Sequence, residues 1–564
     1  MKRIVLVLLF GICLLLVGCT NNVNTTNQSS NAESGNNESV TLDEDTVTST
    51  FSLKKENGAA IQSSNNVYTI SDEGLYTASG KLEEGQIYIN ASGKEVEIEL
   101  DGVSISNSSV SPIFVNDCDS TTLKVKKNTT NYIYDNRETD YSLSTDDSIG
   151  TAAIYVSNGN LKINGKGSLY IESSKNSGIY GKDNVTIKNV TLLIKAMNNG
   201  IKGNDKVTIE ENPTISIVAG NNGIRTSNSD AGSSSQHGYI YLNGGAITIN
   251  SYGDGIDAAY AVVVDTSVDD EGNTYTPVID IYTNKYSSYT LVDSTSDEND
   301  LVTLGGGPGG PGRPGGGPGG PGGGFSGGKA AEKADDSAKG IKANELISIT
   351  TGTIFIYSYD DGIHTNNDKL DTGVSAKANI NISGGNITIK ASDDGIHADG
   401  TLTISGGKVN VSESHEGLEA KIINITGGEA TVVGNDDGVN VSSSLVISGG
   451  LLDVTVSPNG DTDGIDSNGT ITISGGIVIT RGPNNEMAAP LDSESTMRMD
   501  GGILIVIGYA PRRLSTSLTK SASTKGISSG EHTVSVGSTT ISFNNSFSYN
   551  GTCTVYANTS ATIN

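Results

Sequence analysis

The residues of this sequence that could do chemistry are mostly acidic, and they recur in a short motif of an acidic residue, a glycine and an aliphatic residue. The copies of this acidic motif are Asp254-Gly255-Ile256, Asp361-Gly362-Ile363, Asp394-Gly395-Ile396, Glu416-Gly417-Leu418, Asp437-Gly438-Val439 and Asp463-Gly464-Ile465. Two positions after each glycine stands a second polar series, Asp257, His364, His397, Glu419, Asn440 and Asp466. A further acid precedes three of the motifs, at Asp360, Asp393 and Asp436.

Stacking of these repeats would bring like charges together. Two carboxylates about 4.8 Å apart repel by about 1 kcal/mol in water and by ~3–4 kcal/mol at an effective dielectric of about 20. Such a row must take up protons or hold cations. Ligand sets made only of carboxylate oxygens suit Ca²⁺ better than zinc or copper. We therefore predict Ca²⁺ as the cofactor, with ligands among Asp254, Asp257, Asp360, Asp361, Asp393, Asp394, Glu416, Glu419, Asp436, Asp437, Asp463 and Asp466.

Two alternatives stay open for these residues. The aspartates could instead accept hydrogen bonds from turn amides, which would explain one acid per turn but not the acidic pairs and the second polar series. His364, His397 and His415 could form a zinc site, but their spacings of 33 and 18 residues place them on different repeats beside carboxylates. We interpret the histidines as partners of the carboxylates on the solvent side.

The acidic motif alternates with a second one, an aliphatic residue, a polar residue and two glycines, as in Ile404-Ser405-Gly406-Gly407. Successive copies between residues 385 and 502 are 21 to 26 residues apart, and short runs of alternating apolar and polar residues separate them. Alternation is typical of strands with one buried face. This period is too short for a propeller blade and fits one coil of a parallel β-helix, in which glycines would adopt positive φ at the turns. The sequence thus predicts an all-β parallel β-helix.

The ends of the chain and one internal segment depart from the repeat. Lys2 and Arg3 precede an apolar run from Ile4 to Val17, and Leu16-Val17-Gly18-Cys19 resembles a bacterial lipobox. These features predict a lipoprotein signal peptide over 1–18, acylation of Cys19 and attachment to the outer side of the cell membrane. We predict a flexible tether over 19–55, the β-helix over 56–510 and a C-terminal β cap over 511–564. A loop insertion is predicted over 266–336, with a Gly/Pro-rich part at 305–328. Cys118 and Cys553 are predicted to be buried thiols.

The arrangement of motifs also resembles a bacterial family of carbohydrate-binding β-helix proteins. The residues that carry the resemblance are Gly74-Leu75-Tyr76, Ile98-Glu99-Leu100-Asp101-Gly102, Asn222-Gly223-Ile224, Gly253-Asp254-Gly255-Ile256-Asp257-Ala258 and Ala338-Lys339-Gly340-Ile341-Lys342-Ala343. The resemblance spans roughly residues 60–510. It implies a right-handed, pectate-lyase-like β-helix that binds calcium and attaches to cellulose and acidic pectin-like chains.

Three functions are compatible with these features. A formal net charge of −28 argues against nucleic-acid binding. We predict a monomeric cell-surface lipoprotein that binds polygalacturonate-like pectin or cellulose through calcium without cleaving it. The alternatives are a calcium-dependent polysaccharide lyase and a protein-binding adhesin. A lyase needs a basic residue to remove a proton, and Lys421 is a weak candidate, with Lys390 and Arg481 also near in sequence.

Overall fold

The computed structural model describes residues 45–141, 148–228, 230–283, 337–367, 377–523 and 526–564. The chain divides into two units, Met1–Ser39 and Val40–Asn564. The predicted signal peptide, Cys19 and the Gly/Pro-rich segment at 305–328 lie outside the described residues, so their predictions stay predictions. Within the described residues the structure is all-β, and no helix there is long and apolar enough to cross a bilayer.

Strand pairing follows the sequence repeat. Strands one repeat apart pair in parallel, and forty strands join one mixed sheet whose antiparallel pairs lie near its two ends. The repeats contribute strands to three rows. The first row follows the acidic motif and its N-terminal equivalents: Ala152–Val156, Ser177–Gly181, Ile201–Gly203, Ile224–Thr226, Ile256–Ala258, Ile341–Ala343, Ile363–Thr365 and Ile465–Ser467.

The other two rows complete each repeat. The second row contains Asn160–Gly165, Asn184–Lys188, Ala261–Val264, Leu346–Ile349, Asn379–Ile382, Thr470–Ile473, Met497–Met499 and Leu514–Thr516. The third row contains Thr130–Asp135, Ser168–Ser173, Thr191–Ala196, Val278–Thr283, Thr353–Ser358, Asn386–Ala391, Lys408–Glu413, Glu429–Val433, Leu451–Thr455, Ile477–Arg481 and Ile503–Gly508. Longer strands continue from one row into the next: Gln86–Asn107, Ile113–Val125, Lys206–Ala219, Tyr239–Ser251, Ile396–Ile404, Leu418–Ile425 and Val439–Ile447.

The remaining strands precede or follow the rows along the chain or form an excursion from the sheet, and three of the C-terminal ones form a separate three-stranded sheet. The N-terminal ones are Ser52–Lys55, Ser63–Ser64, Val67–Ile70 and Gly74–Leu82. The C-terminal ones are Thr519–Ala522, Gly530–Val536, Thr539–Asn545, Thr552–Ala557 and Ala561–Ile563. A two-stranded hairpin is formed by Ser267–Val268 and Thr274–Tyr275.

The aliphatic residues of the acidic motif form an interior ladder. They pair one repeat to the next in the order Ile256, Ile341, Ile363, Ile396, Leu418, Val439 and Ile465, and all of them are fully buried. Burial of one such side chain contributes roughly 1.5–3 kcal/mol. Because strand side chains alternate, the polar residue after each aliphatic faces outward. The ladder therefore fixes the position of the second polar series.

The glycines of the two motifs have different roles. The second glycine of the Gly-Gly motif has positive φ, 76° at Gly407, as predicted for a turn. The prediction is wrong for the acidic motif, whose glycines do not have positive φ. A Cβ at Gly417 would lie 2.3 Å from the carbonyl oxygen of Gly438 and 2.0 Å from the side chain of Val432. Glycine is needed there because the neighbouring repeat passes so close.

Two predicted boundaries need correction. Ser52–Lys55 lies within the predicted tether, yet it pairs antiparallel with Gly74–Leu82 and buries Leu53. Val278–Thr283 lies within the predicted 266–336 insertion, yet it is a regular member of the third row. Both strands lack the Gly-Gly motif, so nothing in the repeat pattern marked them.

The region after residue 510 contains the antiparallel strands Gly530–Val536, Thr539–Asn545 and Ala561–Ile563, which surround a second apolar cluster. This region is where the C-terminal cap was predicted. Cys553 and Cys118 are buried free thiols, as predicted, and burial raises the pKa of Cys553 to about 12.

Candidate metal-binding face

Two rows of polar residues run along the first row of strands. The inner polar row is formed by the residue before each glycine, in the order Asn222, Asp254, Lys339, Asp361, Asp394, Glu416, Asp437 and Asp463. The outer polar row is formed by the residue after each aliphatic, in the order Tyr155, Tyr180, Lys202, Arg225, Asp257, Lys342, His364, His397, Glu419, Asn440 and Asp466. The predicted rows therefore exist, but basic residues interrupt them at one end.

The rows divide into three segments of different charge. The cationic segment comprises Lys202, Arg225, Asp254, Asp257, Lys339 and Lys342. The histidine segment comprises Asp361, His364, Asp394, His397 and Asp399. The carboxylate segment comprises Glu416, Glu419, Asp437, Asp463 and Asp466.

In the cationic segment the predicted metal ligands already have partners. Asp254 is buried, and its Oδ1 accepts hydrogen bonds from Ser337 Oγ at 2.6 Å and from the Lys339 amide at 2.8 Å. Asp257 Oδ2 lies 3.3 Å from Arg225 Nε. The structure does not bring these two aspartates together with the downstream acids, since Lys339 separates Asp254 from Asp361 in the inner row.

The lysines of this segment were not recognised from the sequence. Lys339 Nζ lies 2.6 Å from Asp361 Oδ2 and 2.9 Å from Asp360 Oδ1. Its motif, Lys339-Gly340-Ile341, has the spacing of the acidic motif, with lysine in place of the acid. The Gly340-Ile341 pair that follows Lys339 could therefore have placed this lysine in the row, although its charge differs from that of the other motifs.

In the histidine segment each ring is held by a carboxylate of the inner row. His364 Nδ1 lies 2.5 Å from Asp361 Oδ2, and His397 Nδ1 lies 3.3 Å from Asp394 Oδ2. Burial opposes ionisation of Asp361, but the hydrogen bond with His364 and the charge of Lys339 hold its pKa below the usual range. The two imidazole rings stack with centroids 4.4 Å apart.

The carboxylate segment carries uncompensated acids. Burial raises the pKa of Glu416 to about 7, with a further contribution from the charge of Asp394. Burial likewise raises the pKa of Asp437 to about 6 and that of Asp463 to about 7. Among the described residues, no lysine or arginine nitrogen lies within 4.0 Å of these three carboxylates. The segment therefore favours bound protons or a bound cation.

The additional acids lie outside the inner row. Ligand atoms of three sets lie within 4.8 Å of one another: Asp360, Asp361 and Asp393; Asp393, Asp394 and His415; His415, Glu416 and Asp436. Partial desolvation of the Asp393 carboxylate and the charge of Asp394 raise the pKa of Asp393. These acids are close enough to share a cation with the inner row.

The inner row also forms the predicted hydrogen bonds to turn amides. Asp437 Oδ1 accepts a hydrogen bond from the Asp463 amide at 2.8 Å, and Asp394 Oδ1 accepts one from the Glu416 amide at 3.2 Å. Each of these bonds uses one oxygen of a carboxylate that has two. Amide bonding and cation binding are therefore compatible at the same residue.

The basic residues considered for a lyase are not equivalent. Lys421 is exposed at a point where the strand register shifts between Ala420 and Ile422. Lys390 pairs with Glu413 at 2.8 Å. The prediction of Arg481 as a surface base is wrong, because its side chain is completely buried and ion-paired with Asp453.

The raised pKa values predict the pH dependence of the metal-free protein. Burial favours the neutral acids in the folded state, so their contribution to stability is complete below an unfolded pKa of about 4 and is lost as pH rises through 6–7. We expect the urea midpoint in EDTA to fall between pH 5 and pH 8, as measured by circular dichroism. An Asp437→Asn/Asp463→Asn variant should show a shallower fall. A flat or rising midpoint in the wild-type protein would contradict this prediction.

Comparison with known proteins defines the class. A family described as carbohydrate-binding domain-containing proteins matches residues 64–371, 366–417 and 418–564, and this chain belongs to that family.

Individual relatives are more distant. A carbohydrate-binding domain-containing protein of Acetivibrio thermocellus is 30% identical over 129 residues, which are 22% of this chain and 44% of the relative's length. A solved structure of a polysaccharide lyase-like protein from C. thermocellum, a gadolinium derivative, is 27% identical, with a TM-score of 0.35, and the match covers 39% of this chain and 84% of that one. At that TM-score the likeness carries no conclusion about this fold.

Proposed function

We propose that this protein is a calcium-dependent polysaccharide-binding lipoprotein that captures acidic pectin-like chains or cellulose without cleaving them. In this proposal the parallel rows wind as a right-handed β-helix. Acylated Cys19 holds the chain on the outer side of the membrane. The pairing of equivalent strands one repeat apart supports the parallel winding.

The observation that carries the proposal is the carboxylate segment. Glu416, Asp437 and Asp463 come from three successive repeats, are half-buried, and have pKa values raised to about 6–7. Burial, with a smaller contribution from neighbouring acids, disfavours the ionised forms of these carboxylates, and a bound Ca²⁺ ion would stabilise those forms. Calcium accepts flexible sets of carboxylate and water oxygens. These residues thus fit a hard, oxygen-seeking cation.

Calcium also explains how an anionic protein could bind an anionic polysaccharide. With a formal net charge of −28, direct contact between the protein and a polyuronate would be repulsive. An ion held by the carboxylate segment keeps coordination positions for uronate carboxylates or sugar hydroxyls. The metal would then act as a bridge between two acidic surfaces.

Retention of the full chain on insoluble polygalacturonate, with cellulose as a second matrix, tests the proposal. We expect the chain to be retained in calcium and released in EDTA. An Asp437→Asn/Asp463→Asn variant should bind the polysaccharide at least about 10-fold more weakly, because calcium affinity depends on ligand charge. Asp500→Asn is the matched control, since Asp500 is exposed and pairs with Arg498.

Three outcomes would contradict the proposal. Retention that is unchanged by EDTA would show that binding does not depend on calcium. Absence of retention on both matrices would show that neither polysaccharide is the ligand. Steady growth of absorbance from unsaturated uronate products would show cleavage instead of capture, and loss of that signal in Lys421→Ala would identify the base.

A further inference from the structure

The histidine segment has a geometry that the carboxylate segment lacks. His364 and His397 occupy paired positions on neighbouring strands. Their Nε2 atoms lie 3.9 Å and 3.6 Å from the same oxygen, Asp399 Oδ1. Both Nε2 atoms therefore lie near one carboxylate oxygen.

The buried edge of His364 has no hydrogen bond of its own. The side chain is 7% exposed, and among the described residues its Nε2 has no hydrogen-bond partner. A buried ring nitrogen without a partner is costly, because desolvation is not repaid. The unpartnered Nε2 faces Asp399, at a distance too long for a hydrogen bond.

The surrounding carboxylates prepare both rings for a ligand at Nε2. Asp361 Oδ2 accepts the Nδ1 proton of His364, while Asp394 Oδ2 and Glu419 Oε2 each lie 3.3 Å from Nδ1 of His397. Metal-bound histidines characteristically donate the other ring proton to a carboxylate in this way. Asp399 is held similarly, since its Oδ2 accepts the Asn367 amide at 3.2 Å and Oδ1 remains toward the rings.

We propose that His364, His397 and Asp399 form a second metal site, which takes a divalent transition-metal ion such as Zn²⁺ and which does not depend on the proposed calcium function. Imidazole nitrogen is a ligand for zinc, copper and nickel, whereas calcium takes oxygen. Ligand atoms around tetrahedral zinc stand roughly 3.4 Å apart, close to the 3.6 Å and 3.9 Å that separate the two Nε2 atoms from Asp399 Oδ1. Binding would require the two stacked rings to turn so that both Nε2 atoms point at the ion.

Calorimetric titration of the EDTA-treated full chain with ZnCl₂, in millimolar calcium, tests this proposal. We expect one zinc ion to bind, and His397→Gln to weaken binding by more than about 100-fold, since even outer partners of metal ligands are worth roughly 10–100-fold. Asp361→Asn, which removes such an outer partner, should weaken it by roughly 10–100-fold. CoCl₂ should give a visible absorption band that His397→Gln abolishes.

Two controls separate this site from the carboxylate segment and from unfolding. Asp437→Asn/Asp463→Asn should keep its zinc affinity, and His532→Gln, in the C-terminal strands, should also bind normally. His397 is 24% exposed, so its variant should fold, which circular dichroism checks. The proposal is overturned if the wild-type chain binds no zinc, if calcium displaces the zinc, or if folded His364→Gln and His397→Gln variants bind it as tightly as the wild type.

Discussion

Replacing Gly417 by alanine is expected to lower the free energy of unfolding by about 3 kcal/mol, at the upper end of the range for overpacked interiors. The added methyl group would meet the Gly438 carbonyl oxygen at 2.3 Å. Backbone of the neighbouring repeat cannot move aside as a flexible side chain could. Gly417 also stands between Glu416 and Leu418, so the same displacement would disturb the carboxylate segment and weaken calcium-dependent retention.

The matched control for this change is Gly232→Ala. Gly232 does not have positive φ, and the nearest atom to its added methyl group would be Ser235 Oγ at 3.8 Å. We expect Gly232→Ala to unfold within about 0.5 kcal/mol of the wild-type chain, as measured by urea denaturation. A Gly417→Ala protein as stable as Gly232→Ala would show that the repeats are not so closely spaced.

Replacing Arg481 by methionine is expected to cost about 3 kcal/mol, because it leaves the half-buried Asp453 carboxylate without its cation and the buried Asn545 oxygen without its donor. The guanidinium is completely buried, donates to Asp453 and to the Val454 carbonyl, and donates from Nε to Asn545 Oδ1 at 2.6 Å. Its plane also lies over the ring of Phe543, 5.3 Å from the centroid. Arg481 thus joins the last repeats to the C-terminal antiparallel strands.

Proteolysis and urea denaturation would measure this effect. We expect Arg481→Met to expose the C-terminal strands to cleavage under conditions in which the wild-type chain is resistant. Arg498→Met is the control, since Arg498 makes an exposed pair with Asp500 that is worth ~0–1 kcal/mol. Equal resistance of the two variants would mean that Arg481 does not hold the C-terminal strands.

The three segments of the polar rows differ in the charges and in the metal-ligand atoms that they offer. The cationic segment neutralises its own acids, as the Arg225–Asp257 pair shows. The histidine segment offers nitrogen ligands, and the carboxylate segment offers only oxygen. The two metal proposals therefore concern different residues, and the Asp437→Asn/Asp463→Asn and His397→Gln variants should affect them separately.

The all-β architecture and the position of the rows could be read from the sequence. A motif that recurs every 21 to 26 residues places equivalent residues beside each other once the strands pair in register, and Ile396, Leu418 and Val439 do pair in that way. Apolar alternation has a period of two, so the polar residue after each aliphatic had to face outward. Local pattern was enough for these conclusions because the fold repeats it.

The tertiary structure alone decided which acids remain without a cationic partner. Asp254 and Asp463 occupy the same position of the same motif, yet a lysine follows the first in the inner row and burial raises the pKa of the second. Asp399 belongs to no motif, and a register shift after Ala398 accompanies its approach to the two histidine rings. The sequence determined the rows because register is a local, periodic property. The electrostatic state of each carboxylate depends on its burial and on every charge within a few ångströms, including groups such as Asp399 that lie outside the repeated motifs.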